Sequence, residues 1–216
     1  MKLVLKFGGT SISSAANIRY VAKLLQSLSK EHKIVSVFSA ITGVTDDLIR
    51  VTSLIQKGNK DAANNLAKKI IKNHMQVANQ CVKNPKIRKE LVEKMRADLS
   101  ELEELLHGML LLGEVTPRSS DYLISFGERL SISLIAFALN DLGSKAVALT
   151  GKDIGIVTDS NFGEAKPLMD TTRLRVSHTI ESVLEKKILP VIGGFAGTDQ
   201  YGNILHLGEV VLIIQQ

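Results

Sequence analysis

The chain has no tryptophan and only six Phe and three Tyr, so its core has to be packed from aliphatic side chains. A single cysteine, Cys81, excludes an internal disulfide and fits a reducing compartment. No run approaches the ~20 apolar residues that a membrane helix needs. The N-terminus opens on a strand pattern instead of a charged segment followed by a long apolar one, which argues against a signal peptide. A cytoplasmic protein with no membrane partner is the expectation. Nucleotide motifs are also missing: there is no Gly-x-x-x-x-Gly-Lys-[Ser/Thr], no Gly-x-Gly-x-x-Gly and no protein-kinase signature. His32, His74, His107, His178, His206 and Cys81 fall at no metal-ligand spacing, so no metal site is expected.

What is present is a chain of 216 residues, 44% hydrophobic, enough for one real core and one domain. Its net charge of +5 is unevenly distributed. From Lys57 to Arg96 there are 11 Lys or Arg against 3 Asp or Glu, and an acidic stretch follows from Asp98 to Glu114. With no aromatic residues interleaved for base stacking, this reads as a solvated pair of helices and not as a nucleic-acid site.

Periodicity gives the organisation. Leu3-Val4-Leu5 is a short strand, Ile18, Val21, Leu24, Leu25 and Leu28 recur at helical spacing, and Ile34 to Phe38 is a strand buried on both faces. This βαβ order implies a parallel sheet. Residues from about 46 to 112 read as a helical insertion broken at Asn84-Pro85, with Ile87, Leu91, Met95, Leu99, Leu102, Leu106 and Met109 as an apolar stripe. Thr116 to Asp121 reads as a loop with cap candidates, followed by a helix through Asn140 that ends near Gly143. Lys145 to Leu149 and Ile188 to Ile192 are strand candidates, Asp159 to Gly163 a turn, and Arg173 to Lys187 an amphipathic helix.

Five segments carry chemistry. Lys6-Phe7-Gly8-Gly9-Thr10-Ser11 places a cation and two residues without side chains at a strand end, where backbone N–H groups approach an anion closely. Ser39-Ala40-Ile41-Thr42-Gly43-Val44-Thr45-Asp46 clusters hydroxyls at the second strand's end. Ser125 to Ser131 contains Gly127-Glu128 inside an otherwise apolar helix, a sign of close approach by something. Thr150 to Asp159 and Gly193-Gly194-Phe195-Ala196-Gly197 complete the set. Taken singly, each has a plain structural reading: Lys6 as a strand-edge lysine, Glu128 as a helix salt bridge, and Thr10, Ser11, Ser39 and Thr45 as turn or cap residues.

In this order along the chain, the five segments resemble the catalytic domain of aspartate kinases, within the amino acid kinase superfamily. The resemblance runs from residue 1 to about Gly202. It implies a three-layer α/β/α sandwich with a mainly parallel sheet, and transfer of phosphate from ATP, supplied with Mg2+, to the side-chain carboxylate of L-aspartate. It further implies Lys6 as the catalytic cation, with Lys6, Phe7, Gly8, Gly9, Gly193 and Gly194 on the nucleotide phosphates. Thr10, Ser11, Ser39, Thr45, Glu128 and Phe195 fall on the aspartate side, with Glu128 on the α-ammonium.

After Asn203 the chain departs from the family pattern, which continues into Thr-Thr-Leu-Gly-Arg-Gly-Gly-Ser-Asp. The expectation is a severed front part of such an enzyme, with its sheet incomplete at the C-terminal side and regulatory domains absent. Its activity is then impaired, and an exposed sheet edge invites self-association into a homo-oligomer. Two competing expectations are a silent, phosphate-binding remnant and a different amino acid kinase.

Overall fold

The computed structural model describes residues 1–207. Its main sheet has four parallel strands in the order β1-β2-β4-β3, where β1 is Lys2–Phe7, β2 Lys33–Phe38, β3 Ala146–Leu149 and β4 Leu189–Gly193. Each crossover is helical. Helix α1 (Ala15–Leu28) joins β1 to β2, and α2 (Val44–Gln56), α3 (Lys60–Cys81), α4 (Pro85–Leu112) and α5 (Pro117–Asp141) lead from β2 to β3. The short α6 (Gly151–Ile154) and α7 (Met169–Glu185) lead from β3 to β4. A separate antiparallel hairpin, β5 (Ala196–Thr198) and β6 (Ile204–His206), follows.

Both sheet faces are covered, which makes the three layers. In β2, Ile34 and Phe38 join the core shared with α1 to α5, whereas Val35 and Val37 join a second core with Ile154, Ile156, Val176, Ile180 and Leu205. Period-two alternation between two apolar cores is why this strand reads as a continuous hydrophobic run. β1 lies at one edge, and Lys2, Val4 and Lys6 on its outer face are exposed.

Local chemistry sets the helix ends. Ser14 caps α1 by accepting the Asn17 N–H at 3.2 Å, so neither Thr10 nor Ser11 takes that role. Asn84 caps α4 ahead of Pro85, where the missing N–H costs nothing, and Gly113 ends that helix in the left-handed region. The expected loop at Thr116–Asp121 is instead the first turn of α5. Thr116 and Ser119 form reciprocal bonds between side chain and backbone, and Pro117 is pre-organised for the first helical position.

Helix α5 is the axis of the fold. By length and hydropathy it would cross a membrane, but 78% of its most apolar window is buried within the protein, against the sheet and the neighbouring helices. At its end, Asp141 accepts the N–H groups of Lys83 and Asn84 at 2.9 and 2.8 Å and pairs with Arg19 at 3.0 Å. Burial opposes ionisation of Asp141, yet these three donors hold its carboxyl below the usual range. The resulting stability is present above the unfolded aspartate value of about 3.9 and is lost as pH falls through the depressed one. Asp141→Ala should destabilise the chain by about 3 kcal/mol in urea denaturation at pH 7. Its deficit against wild type should shrink below pH 3.

Candidate functional site

The carboxyl ends of parallel strands are where open α/β sheets bind ligands. Here β1 delivers Lys6, Phe7 and Gly8, β2 delivers Ser39, and β4 delivers Gly193, Gly194 and Phe195 to one end of the sheet. The strand ends are tied together. Ser39 donates its N–H to the Phe7 carbonyl at 3.2 Å, and the rings of Phe7 and Phe38 stack with centroids 4.9 Å apart.

Phe195 links the predicted phosphate side to the predicted acceptor side. Lys6 Nζ stands 5.1 Å from the centroid of its ring, within cation–π range. Its backbone N–H donates to Glu128 Oε2 at 2.9 Å. Glu128 projects from the middle of α5 and is only 8% exposed, and its Oε1 is buried without a hydrogen-bond partner. Burial pushes its pKa up to about 8, against the opposing pull of the Phe195 N–H and the Lys6 charge. Glu128 does not pair with Arg129, so the simple salt-bridge reading fails.

Close approach explains the glycines. A Cβ on Gly193 would lie 3.2 Å from Glu128 Oε2, and one on Gly127 would lie 2.9 Å from the Ala40 Cβ. What comes close to Gly127 is therefore the loop after β2. The Gly8-Gly9 pair divides in the same test. Space beside Gly8 is open, but a Cβ on Gly9 would meet the Ala40 carbonyl oxygen at 2.7 Å and the Thr42 nitrogen at 2.9 Å. Gly9 is thus required by the protein's own packing, and Gly8 leaves its side free.

Thr10 and Ser11 are exposed in a 3-10 turn at Gly9–Ile12. Ser39 and Thr45 are half-buried, and neither caps α2, because Gly43 in the left-handed region holds that position. The Thr150–Asp159 segment gains a structural account. Thr150 and Asp153 form a capping box, and a Cβ on Gly151 would lie 1.7 Å from the Ala196 carbonyl oxygen. A cavity of about 30 Å³ adjoins Glu128 between Gly151 and Gly193, with room for a water and not for a substrate. Among the described residues, no three His, Cys, Asp or Glu side chains gather as a metal site.

Residue reasoning missed what holds α5 in register. Asp98, 1% exposed, accepts from Lys94 at 2.6 Å and from Arg129 Nε and Nη2 at 3.0 and 2.7 Å. Arg129 also pairs with Glu101, to which Tyr122 donates its hydroxyl, and lies over the Phe126 ring at 4.9 Å. Burial opposes the guanidinium charge, but Glu101 and Asp98 hold Arg129 firmly protonated. The available signal was Asp98 itself, a carboxylate set within the apolar stripe of α4 beside Met95, Leu99 and Leu102.

Residues 1–210 match the sequence profile of the amino acid kinase family. The chain belongs to that family. It is 35% identical over 198 residues to the chloroplastic aspartokinase 3 of Arabidopsis thaliana, a match covering 90% of this chain and 34% of the plant protein. The kinase fold also matches the crystal structure of E. coli aspartokinase III with lysine and aspartate. Here the TM-score is 0.82 at 20% identity, covering 95% of this chain and 43% of that one. The same enzyme with aspartate and ADP gives a TM-score of 0.72 at 22% identity, covering 97% and 44%. This chain spans about a third of the length of the curated aspartokinases it matches.

A buried acid that is neutral when folded leaves a pH signature. Between about 4.5 and 8 the folded protein keeps a proton on Glu128 that the unfolded chain has lost, so stability falls as pH rises through this window. Glu128→Gln removes that dependence. In thermal unfolding, the variant's Tm minus that of wild type should rise by roughly several degrees from pH 5 to pH 8. A constant difference would show that Glu128 titrates as an ordinary glutamate.

Proposed function

We propose that this chain is the aspartate-binding and phosphate-binding region of an aspartate kinase, which transfers the γ-phosphoryl group of ATP to the side-chain carboxylate of L-aspartate. The observation that carries this reading is the convergence of Lys6 and Glu128 on the two sides of Phe195, at the carboxyl ends of the strands. The alignment with aspartokinases over nine-tenths of the chain supports aspartate as the acceptor. Aspartate and ADP are bound together in the E. coli aspartokinase III structure, which has the same fold.

The chemistry needs no strong base. A side-chain carboxylate acceptor is ionised at neutral pH, so catalysis rests on placement and on neutralising charge at the transferring group. Lys6 supplies that charge, with Phe7, Gly8, Gly9, Gly193 and Gly194 as the backbone cradle on the phosphates. Thr10, Ser11, Ser39, Thr45 and Phe195 line the acceptor side. Glu128 receives the α-ammonium, which lowers its pKa by direct attraction and makes it release its proton. The desolvated carboxylate then has a full ion partner.

Two measurements test this reading. Aspartate binding by calorimetry at pH 7, in buffers of different ionisation enthalpy, should release on the order of one proton per site, and Glu128→Gln should abolish the release. In a full-length counterpart, assayed by coupling ADP formation to aspartate addition, Lys6→Ala should lower kcat by about 10²-fold with little change in aspartate KM. Glu128→Gln should raise that KM by about tenfold or more. A neutral Lys6 variant would remove the central assignment. ATP binding without aspartate-dependent ADP formation would assign the chain to nucleotide binding alone.

A further inference from the structure

The segment Gly127-Glu128-Arg129-Leu130-Ser131 ends in a serine to which the reaction gives no role. Ser131 is fully buried in the middle of α5, where a serine normally bonds back to a carbonyl one turn earlier. Two neighbours do only that: Ser125 reaches the Tyr122 carbonyl at 2.7 Å, and Ser133 the Arg129 carbonyl at 3.1 Å. Ser131 differs. Its Oγ lies 2.9 Å from the Glu128 carbonyl and 2.8 Å from the Ser39 carbonyl, 92 residues away in sequence. One hydroxyl proton is thus shared between the backbones of two residues placed on the acceptor side.

The surrounding geometry makes this a fixed point. Gly127 and Ser131 are four residues apart and share a helix face, and this face meets the segment after β2 at Ala40 and Ser39. Glu128, three residues before Ser131, turns its carboxylate to the Phe195 N–H. We infer that Ser131 is a positioning residue for the acceptor: its hydroxyl sets the loop at residues 39–43, and with it Thr45 in the first turn of α2, at a fixed distance from Glu128. It touches no substrate and acts through Ser39. The inference rests on the acceptor site proposed above.

The test compares Ser131→Ala and Ser131→Thr with Ser133→Ala, which removes a bond of the same kind that stays within the helix. Amide hydrogen exchange gives a readout independent of activity. Ser131→Ala should speed exchange across residues 39–45 by on the order of tenfold, the cost of one bond to a buried acceptor, and leave Ala146–Leu149 unchanged. In the coupled ADP assay it should raise aspartate KM by about tenfold, with kcat and ATP KM within about twofold. Ser131→Thr, which keeps the hydroxyl, should restore both, and Ser133→Ala should move neither. If Ser131→Ala does not fold, Ser131→Cys keeps the shape with a weak donor and carries the same comparison. Uniformly faster exchange, or no change at residues 39–45, would overturn the inference. If Ser131→Ala shows the exchange effect while wild-type protein gives no aspartate-dependent ADP formation, the acceptor reading is overturned and the mechanical link stands.

Discussion

Glu128 is a carboxyl group that the fold buries with one partner where an ionised acid would need several. In a low-dielectric interior an unpaired charge is too costly to keep, so the group holds its proton to about pH 8 in place of charging. The rest of the site follows from where this acid stands. Its position is set by the rotation of α5, and that rotation is set on the next residue by Arg129, clamped between Asp98 and Glu101. Adjacent helix positions point about 100° apart, so anchoring Arg129 toward α4 turns Glu128 toward the strand ends.

Small residues then close the structure around the acid. Gly127 admits the loop after β2, Gly193 admits Glu128 itself, and Gly151 admits the β5–β6 hairpin. At Gly127 and Gly151 a methyl group would force two elements apart, and at Gly193 it would crowd the Glu128 side chain. Hydroxyl and carboxamide groups do the complementary work where the backbone changes direction: Ser14, Asn84, Thr116 and Thr150 each satisfy N–H groups that a helix start leaves open.

Much of this was legible in the sequence, for physical reasons. The strands ending at Phe7 and Phe38, the stripe on α4 and the βαβ order carry strong periodicity, which survives without tertiary information. The β5–β6 hairpin does not, because Ala196-Gly197-Thr198 is too short and too weakly apolar to alternate. The start of α5 was hidden by Pro117 and a run of polar residues, which read as a loop until Thr116 is seen as the cap. Lys6, Glu128 and Phe195 were picked out by a family-like order of motifs. Their meeting at one point was not visible, since it depends on Phe195 offering its ring to one and its N–H to the other. The separate duties of Gly8 and Gly9 were equally hidden: identical residues differ only in what packs beside them.

Phe195 therefore stands between a cationic side chain and a buried acid. Its ring keeps the Lys6 ammonium at the strand ends by attraction to the π face, a weaker hold than a carboxylate would give. A direct Lys6–Glu128 ion pair would satisfy each group with the other. Interposing an aromatic ring and one N–H holds the two groups apart and leaves the acid neutral. On the reading proposed above, the anion beside Lys6 is a nucleotide phosphate and the cation beside Glu128 is the acceptor's ammonium, so the two groups select different ligands and Phe195 stands between them.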